Sequence, residues 1–279
     1  MVSVEESVED VGFEYVMVDD GSQDGTLEAL LEFKRANPDN VVVVKLDKNY
    51  GSYNAIYAGL QQATGDCIVV ISADLQDPPE LILEMFNHWK AGANLVLAHR
   101  IRRRDSFLQR LMADGFHFGI RIAALPSVPS GGFDYCLFDK RLGKALLDRM
   151  VPDINSLFLL LKEEPNPEHV SYERARREIG TSKWTFKKKM DLATNTLIYF
   201  SPQFRTFIWL SAGLTGLVCV GLIGPIMSAV DQGHLFQIAL SMGSILLMVA
   251  SIVYLLTRLY NYRINCISKR SPFKVEHVF

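Results

Sequence analysis

Short apolar runs alternate with segments of helical spacing from residue 13 to residue 100. FEYVMVDDGS (13–22) predicts a strand ending in polar turn residues, and DGTLEALLEFKRAN (24–37) sets Leu27, Leu30 and Leu31 at the intervals of one helix face. NVVVVKLD (40–47) is a β-branched run, the mark of a strand covered on both faces. A KNYG turn follows, then a helix over 52–63, the strand DCIVVIS (66–72), a helix from Pro79 to about Ala91 and the strand NLVLAHR (94–100). This alternation specifies an α/β fold, a mostly parallel sheet with helices on both faces. Ligands of such sheets bind outside the carboxyl ends of the strands. The polar clusters DDGS, KNYG and ADLQDPP all fall at those ends, so Asp74 and Asp77 are expected to point into a binding crevice.

Beyond residue 100 the pattern changes. RIRRRDSFLQRLMADGFHFGIRIAAL, within 100–125, opens basic and continues amphipathic, which leaves two readings open: a loop leading into a helix that lies along a surface, or a solvated helix with one charged face. The stretch 168–200 is basic, carries Trp184 in its midst and leads into apolar sequence, so it is expected at a membrane interface. Segments 206–230 and 235–257 hold almost no charge, and each is long enough to cross a bilayer of about 30 Å. Their linker DQGH (231–234) has no lysine or arginine, whereas Lys187, Lys188, Lys189 and Arg205 flank one side and Arg258, Arg263, Lys269, Arg270 and Lys274 the other. The positive-inside bias then predicts a two-helix transmembrane hairpin with the catalytic part and both termini cytoplasmic. A pair of buried core helices is the competing reading; it lacks a further all-apolar segment to cover two helices of this length. The expected division is a catalytic domain (1–165), a basic juxtamembrane segment (166–204), the hairpin (205–258) and a tail (259–279).

Composition adds limits. Of 279 residues 49% are hydrophobic, high for a soluble protein, and the excess lies in the two apolar segments. A formal net charge of −2 speaks against a nucleic-acid partner. The four cysteines, Cys67, Cys136, Cys219 and Cys266, have neither metal-ligand nor redox spacing and read as reduced thiols of a cytosol-facing protein. The opening MVSVEESVEDVG is acidic, unlike a signal peptide, and no internal repeat or low-complexity stretch stands out.

Alone, DDGS or DLQD is only a turn and a helix cap. Together, Asp19 and Asp20 close one strand, Asn49 and Gly51 the next, and Asp74 and Gln76 a third. Hard oxygen ligands at the mouth of an α/β sheet suit Mg²⁺ or Mn²⁺, which in turn neutralises a diphosphate.

VDDGSQDGT, KNYGSYNAIYAGLQQATGD, ADLQDPPE, GGFDYCLFDK and REIGTSKW, in that order and ahead of a two-span hairpin, closely resemble the polyprenyl-phosphate glycosyltransferases of glycosyltransferase family 2, over about residues 13–279. The resemblance implies a GT-A fold, a nucleotide-diphosphate sugar donor, a divalent metal, and inverting transfer of one sugar to a polyprenyl phosphate at the cytoplasmic membrane face. It assigns Asp20 to the base or ribose, counts Asn49 with the donor-binding turn, and gives Asp74 with Gln76 to the metal and diphosphate. Asp134 matches the family's active-site aspartate, and Cys136 stands where that motif has arginine. Arg177, Ser182 and Lys183 match a basic loop that faces donor and lipid phosphates. Asp134 or Asp77 would orient the nucleophile or the sugar, and the choice between them stays open. Two departures matter: Ser72 replaces the first carboxylate of the family's Asp-x-Asp, and MVSVEESVEDVG stands where the family has a strand followed by P-x-Y-N-E. The first strand and its loop, one wall of the base pocket, are therefore expected to be missing; either the start is truncated or donor binding is poor.

Two other readings stay in play. A polysaccharide synthase of the same fold ordinarily shows more spans and a Q-x-x-R-W signature. A catalytically impaired membrane scaffold is motivated by Ser72 and the absent opening motif. Base, sugar, lipid length and assembly into a homo-oligomer are left open by the residues.

Overall fold

The computed structural model describes residues 11–74, 76–100, 125–129, 133–175, 186–200 and 273–279, together with single positions within 115–121 and 206–264. The chain divides into two compact units, one comprising 1–197 and 270–279 and the other 198–269.

The larger unit begins with β1 (Tyr15–Asp19), α1 (Thr26–Ala36), β2 (Val41–Leu46), α2 (Ser52–Leu60), β3 (Cys67–Val70), α3 (Leu81–Lys90) and β4 (Leu95–Arg100), in the order the apolar periodicity predicts. It continues with β5 (Tyr135–Asp139), α4 (Lys140–Asp148), α5 (Phe158–Glu163), β6 (Glu168–Tyr172), α6 (Phe186–Phe200), which runs on into the second unit, and β7 (Val275–Val278). The expectation of one mostly parallel sheet is corrected. Two mixed sheets form, ordered β1-β2-β7 and β3-β5-β4-β6. Parallel pairs join β1 to β2 and β4 to β6. β7 runs antiparallel to β2, and β5 runs antiparallel to both β3 and β4. The cause is β5, which inserts between two strands that follow one another in sequence. Among the described residues β1 and β3 each pair on one side only, and both are half-buried along most of their length.

The stretch expected at a membrane interface opens instead with β6, a member of the second sheet. Likewise the expected tail contributes β7, whose Glu276 pairs with Lys45 at 2.8 Å. The core that positions the site is the packing of Leu81, Ile82 and Met85 of α3 on Val96, Ala98, Leu137 and Val170, together with the buried Tyr135 and Tyr172. Alternation along β4 and β6 turns Val96 and Ala98, and Val170 and Tyr172, to this face, so each strand delivers its last residue of that series to the carboxyl end. Burial of such side chains contributes roughly 1.5–3 kcal/mol each, which anchors the strand ends.

The second unit has helical positions between 206 and 264. Most of the two expected spans lies outside the described residues; among those described, no helix is long and apolar enough to cross a membrane. Cys67 and Cys136 are free thiols; burial pushes Cys67 up to about 11 and, with the Asp134 charge, Cys136 higher still, so both are neutral.

Candidate active site

At the carboxyl ends of β1 and β2 two turns interlock. Asp20 accepts from the backbone N–H of Tyr50 at 2.7 Å and of Gly51 at 2.8 Å, and from Asn49 Nδ2 at 3.0 Å. Gly51 is the N-cap of α2, so this carboxylate sits at a helix N-terminus and satisfies one donor the helix itself leaves open, the Gly51 N–H. Burial pushes the Asp20 carboxyl up from its ordinary range, against the lowering effect of the two backbone donors. Gly21 makes the approach achievable: its φ is +67°, and a Cβ there would lie 2.4 Å from the carbonyl carbon of Lys48 and 2.6 Å from the nitrogen of Asn49. Gly21→Ala is expected to cost at least about 1–3 kcal/mol from the backbone conformation alone. An unchanged urea midpoint would show that the two turns are not held this way.

A third turn lies between β3 and α3. Asp74 accepts from the Gln76 N–H at 3.2 Å. The last residue of β6 and one just beyond it then reach back across nearly a hundred positions. The Tyr172 hydroxyl donates to Asp77 Oδ1 at 2.5 Å, and Arg174 Nη2 donates to Asp77 Oδ2 at 3.3 Å. Arg174 Nε lies 3.1 Å from Asp77 Oδ1, an ion pair not aligned as a hydrogen bond, and Nη2 lies 3.5 Å from Asp74 Oδ2. The backbones are clamped as well, by Ala175 N–H to Gln76 O at 2.9 Å and Gln76 Nε2 to Ala175 O at 3.1 Å. Tyr135 hydroxyl donates to Pro78 O at 3.0 Å, which fixes the proline end of the turn.

The chain of contacts runs on from Tyr172. Arg100 Nε donates to the Tyr172 hydroxyl at 3.3 Å, and Arg100 Nη2 pairs with both oxygens of Asp134. The residues thus follow one another as Asp134, Arg100, Tyr172, Asp77, Arg174 and Asp74. Burial opposes the Arg100 charge, and Asp134 and Tyr172 together outweigh it, so the guanidinium stays protonated. Burial raises the Tyr172 phenol, and its bond to Asp77 raises it further, so it remains a donor. Burial likewise raises Tyr53, with Asp134 adding to the effect. Exposure separates the carboxylates: the Asp77 side chain is 1% exposed, Asp74 17% and Asp134 44%. Asp134 is open to solvent and Asp74 partly so, while Asp77 is enclosed and engaged by Tyr172 and Arg174.

The structure therefore brings Asp74, Gln76, Asp77 and Asp134 into one network, and pairs Asp20 with Asn49 at the neighbouring turn. Arg177 and Lys183 lie outside the described residues. Arg100, Tyr172 and Arg174 were not singled out from sequence. Arg100 ends an apolar strand just as the polar residues before Asp74 do, and that criterion could have found it; Tyr172 and Arg174 were hidden in a stretch assigned to the membrane interface.

Among the described residues no three His, Cys, Asp or Glu side chains converge on a metal position. The donor set at Asp74 and Gln76 nevertheless fits Mg²⁺ or Mn²⁺ arriving with phosphate, because Mg²⁺ is commonly held by one or two carboxylates and completes its shell from substrate and water.

Residues 3–146 match the family model described as Glycosyl transferase family 2. The chain is 30% identical over 222 residues to an undecaprenyl-phosphate 4-deoxy-4-formamido-L-arabinose transferase of Pectobacterium carotovorum, covering 75% of this chain and 66% of that protein. It is 31% identical over 204 residues to the bactoprenol glucosyl transferase of Shigella phage SfV, covering 72% of this chain and 65% of that protein. The match spans slightly less than two thirds of either relative. A mannosyltransferase of Pyrobaculum calidifontis, solved with GDP-mannose and Mn²⁺, is 18% identical and covers 94% of this chain and 79% of that one, at a TM-score of 0.46, too low to bear on the site.

Proposed function

This chain belongs to glycosyl transferase family 2, and we propose that it moves one sugar from a nucleotide-diphosphate sugar to a polyprenyl phosphate, with inversion, at the cytoplasmic face of a membrane. The observation that carries the reading is the pairing, at one end of one sheet, of two carboxylates that keep access to solvent, Asp74 partly and Asp134 openly, with two fixed guanidiniums, Arg174 and Arg100. Transfer between two phosphates calls for little base strength, since the acceptor is already an anion. It calls for orientation and relief of charge repulsion, which fixed cations supply. Mg²⁺ or Mn²⁺ held by Asp74 with Gln76 would supply further charge relief at the donor diphosphate. Asp134 is placed to orient the acceptor or the sugar, and Asp77, enclosed by Tyr172 and Arg174, acts through those partners. Arg177 and Lys183 would extend the cationic surface.

The acceptor class is supported by the printed activities of the two relatives, both named for transfer involving undecaprenyl phosphate or bactoprenol. Membrane attachment through a hairpin is supported by the two uncharged segments 206–230 and 235–257. Leu210 and Leu247, at helical positions of the second unit, are 68% and 72% exposed, as lipid-facing side chains would be. The chain also leaves the larger unit after residue 197 and re-enters it at residue 270, which suits an even number of crossings.

A second reading, a catalytically impaired scaffold of the same fold, draws on Ser72 in place of a carboxylate and, among the described residues, on the one-sided pairing of β1 and β3. One experiment separates them: full-length protein in membranes is given polyprenyl phosphate, Mn²⁺ and a panel of nucleotide sugars, and the lipids are read by mass spectrometry. The expected product is polyprenyl phosphate heavier by one sugar residue, with release of nucleoside diphosphate. No product with any donor would favour the scaffold, and donor hydrolysis without a lipid product would remove the lipid acceptor from the assignment.

A further inference from the structure

Arg174 has a geometry that a mere surface partner of Asp77 would not need. Its Nε and Nη2 lie 3.1 and 3.3 Å from the two oxygens of the buried Asp77, and the same Nη2 reaches to within 3.5 Å of Asp74. Asp77 is itself immobilised by the Tyr172 hydroxyl, and the Arg174 backbone is tethered next door by the reciprocal bonds between Ala175 and Gln76. The guanidinium is thus held from both ends, yet 22% of the side chain remains exposed. A positive charge is fixed beside the carboxylate assigned to the metal, and it cannot leave without stranding Asp77 in a buried position.

Building on the function proposed above, we propose that Arg174 is a donor-binding residue: a fixed guanidinium that contacts the donor diphosphate beside the cation at Asp74, so that cation and diphosphate bind as a pair. The reason is charge. A bare divalent cation on Asp74 meets a like charge at close range, and such repulsion is large where solvent is partly excluded. Once a diphosphate is present, both cations face an anion and the repulsion is converted into two attractions. A guanidinium also presents five N–H donors in a planar fork suited to phosphate oxygens, and here Nε and Nη2 are the ones turned to the carboxylates. Arg174 would therefore weaken binding of metal alone and strengthen binding of metal with diphosphate. A purely structural arginine does neither.

The test reads binding rather than turnover, with probes that need no knowledge of the nucleobase: Mn²⁺ alone, inorganic pyrophosphate with Mn²⁺, and orthophosphate with Mn²⁺, each on the full-length protein. In Arg174→Gln, bare Mn²⁺ is expected to bind about tenfold more tightly and pyrophosphate with Mn²⁺ about tenfold more weakly. Arg174→Lys, which keeps the charge and loses the fork, should leave bare Mn²⁺ near wild type and restore part of the pyrophosphate affinity. Because Arg174→Gln strands the Asp77 charge and can unfold the chain, the same comparison is made between Asp77→Asn and the double variant Asp77→Asn/Arg174→Gln, where no buried charge is left unpaired. Equal Mn²⁺ and pyrophosphate affinities in those two proteins would overturn the proposal. So would a loss confined to orthophosphate, which would put the guanidinium on the acceptor. Should the wild-type protein make no glycolipid while the opposed shifts for Mn²⁺ and pyrophosphate are seen, the acceptor assignment fails and the role of Arg174 stands.

Discussion

Asp74→Asn is expected to lower sugar transfer by about 10²–10³-fold, the scale seen when one preorganised electrostatic contact is removed from a transition state, while leaving the fold intact. Asp74 follows the last residue of β3 by four positions and its side chain is 17% exposed. Its neighbours include the Gln76 N–H and the Arg174 guanidinium, both able to pair with the amide that replaces the carboxylate. No apolar packing is lost, so no cavity term arises, and the stability change should stay within about 0.5 kcal/mol, as for surface substitutions. Turnover is to be measured over a titration of Mn²⁺ and of donor, together with a urea midpoint on the same preparation. Near-normal turnover at high Mn²⁺ with an unchanged midpoint would remove Asp74 from the chemistry. An activity loss that follows a fallen midpoint would make it a structural residue.

The strand ends that place Asp74 were legible in sequence because local signals agreed. DCIVVIS is apolar and β-branched, and the acidic turn and two prolines follow at once, so period and punctuation point to the same boundary. The first four strands and three helices accordingly fall where the pattern sets them, within a few residues. What the pattern could not show is pairing. β5 is the five-residue run YCLFD, preceded by glycines and followed directly by a basic helix, and nothing local says that it lies antiparallel between β3 and β4. β7 is shorter still and returns to β2 after the whole second unit has intervened. The same limit governs the site. Asp134 entered through a family resemblance, not through spacing. Tyr172 and Arg174 meet Asp77 from 95 and 97 positions away, inside a stretch whose positive charge has an equally good local explanation at a membrane surface. Asp20 was legible as a strand-end carboxylate, but its engagement with the Tyr50 and Gly51 amides depends on two turns meeting in space.

Asp77 shows how far two aspartates three residues apart can differ, and Asp77→Ala is expected to lose about 3 kcal/mol of stability. Removing one member of a buried ion pair generally costs about 3–5 kcal/mol, because the remaining charge has lost its counter-ion without regaining water. Here the partner left behind is Arg174, which keeps 22% exposure and can be hydrated in part, so the lower end of that range applies. The Tyr172 hydroxyl loses its acceptor at the same time, which adds to the cost through a buried donor left unmet. Tyr172→Phe removes that hydroxyl, which also accepts from Arg100 Nε, but leaves the ion pair, and so should cost about 1–3 kcal/mol, the net value of two hydrogen bonds. Urea midpoints of the two variants, set beside that of Asp74→Asn, order the three: large for Asp77→Ala, moderate for Tyr172→Phe, near zero for Asp74→Asn. An Asp77→Ala protein as stable as wild type would mean that Arg174 finds another anion when Asp77 is gone. Asp74 is the carboxylate within its reach, so that outcome would predict weaker binding of bare Mn²⁺ in Asp77→Ala than in wild type.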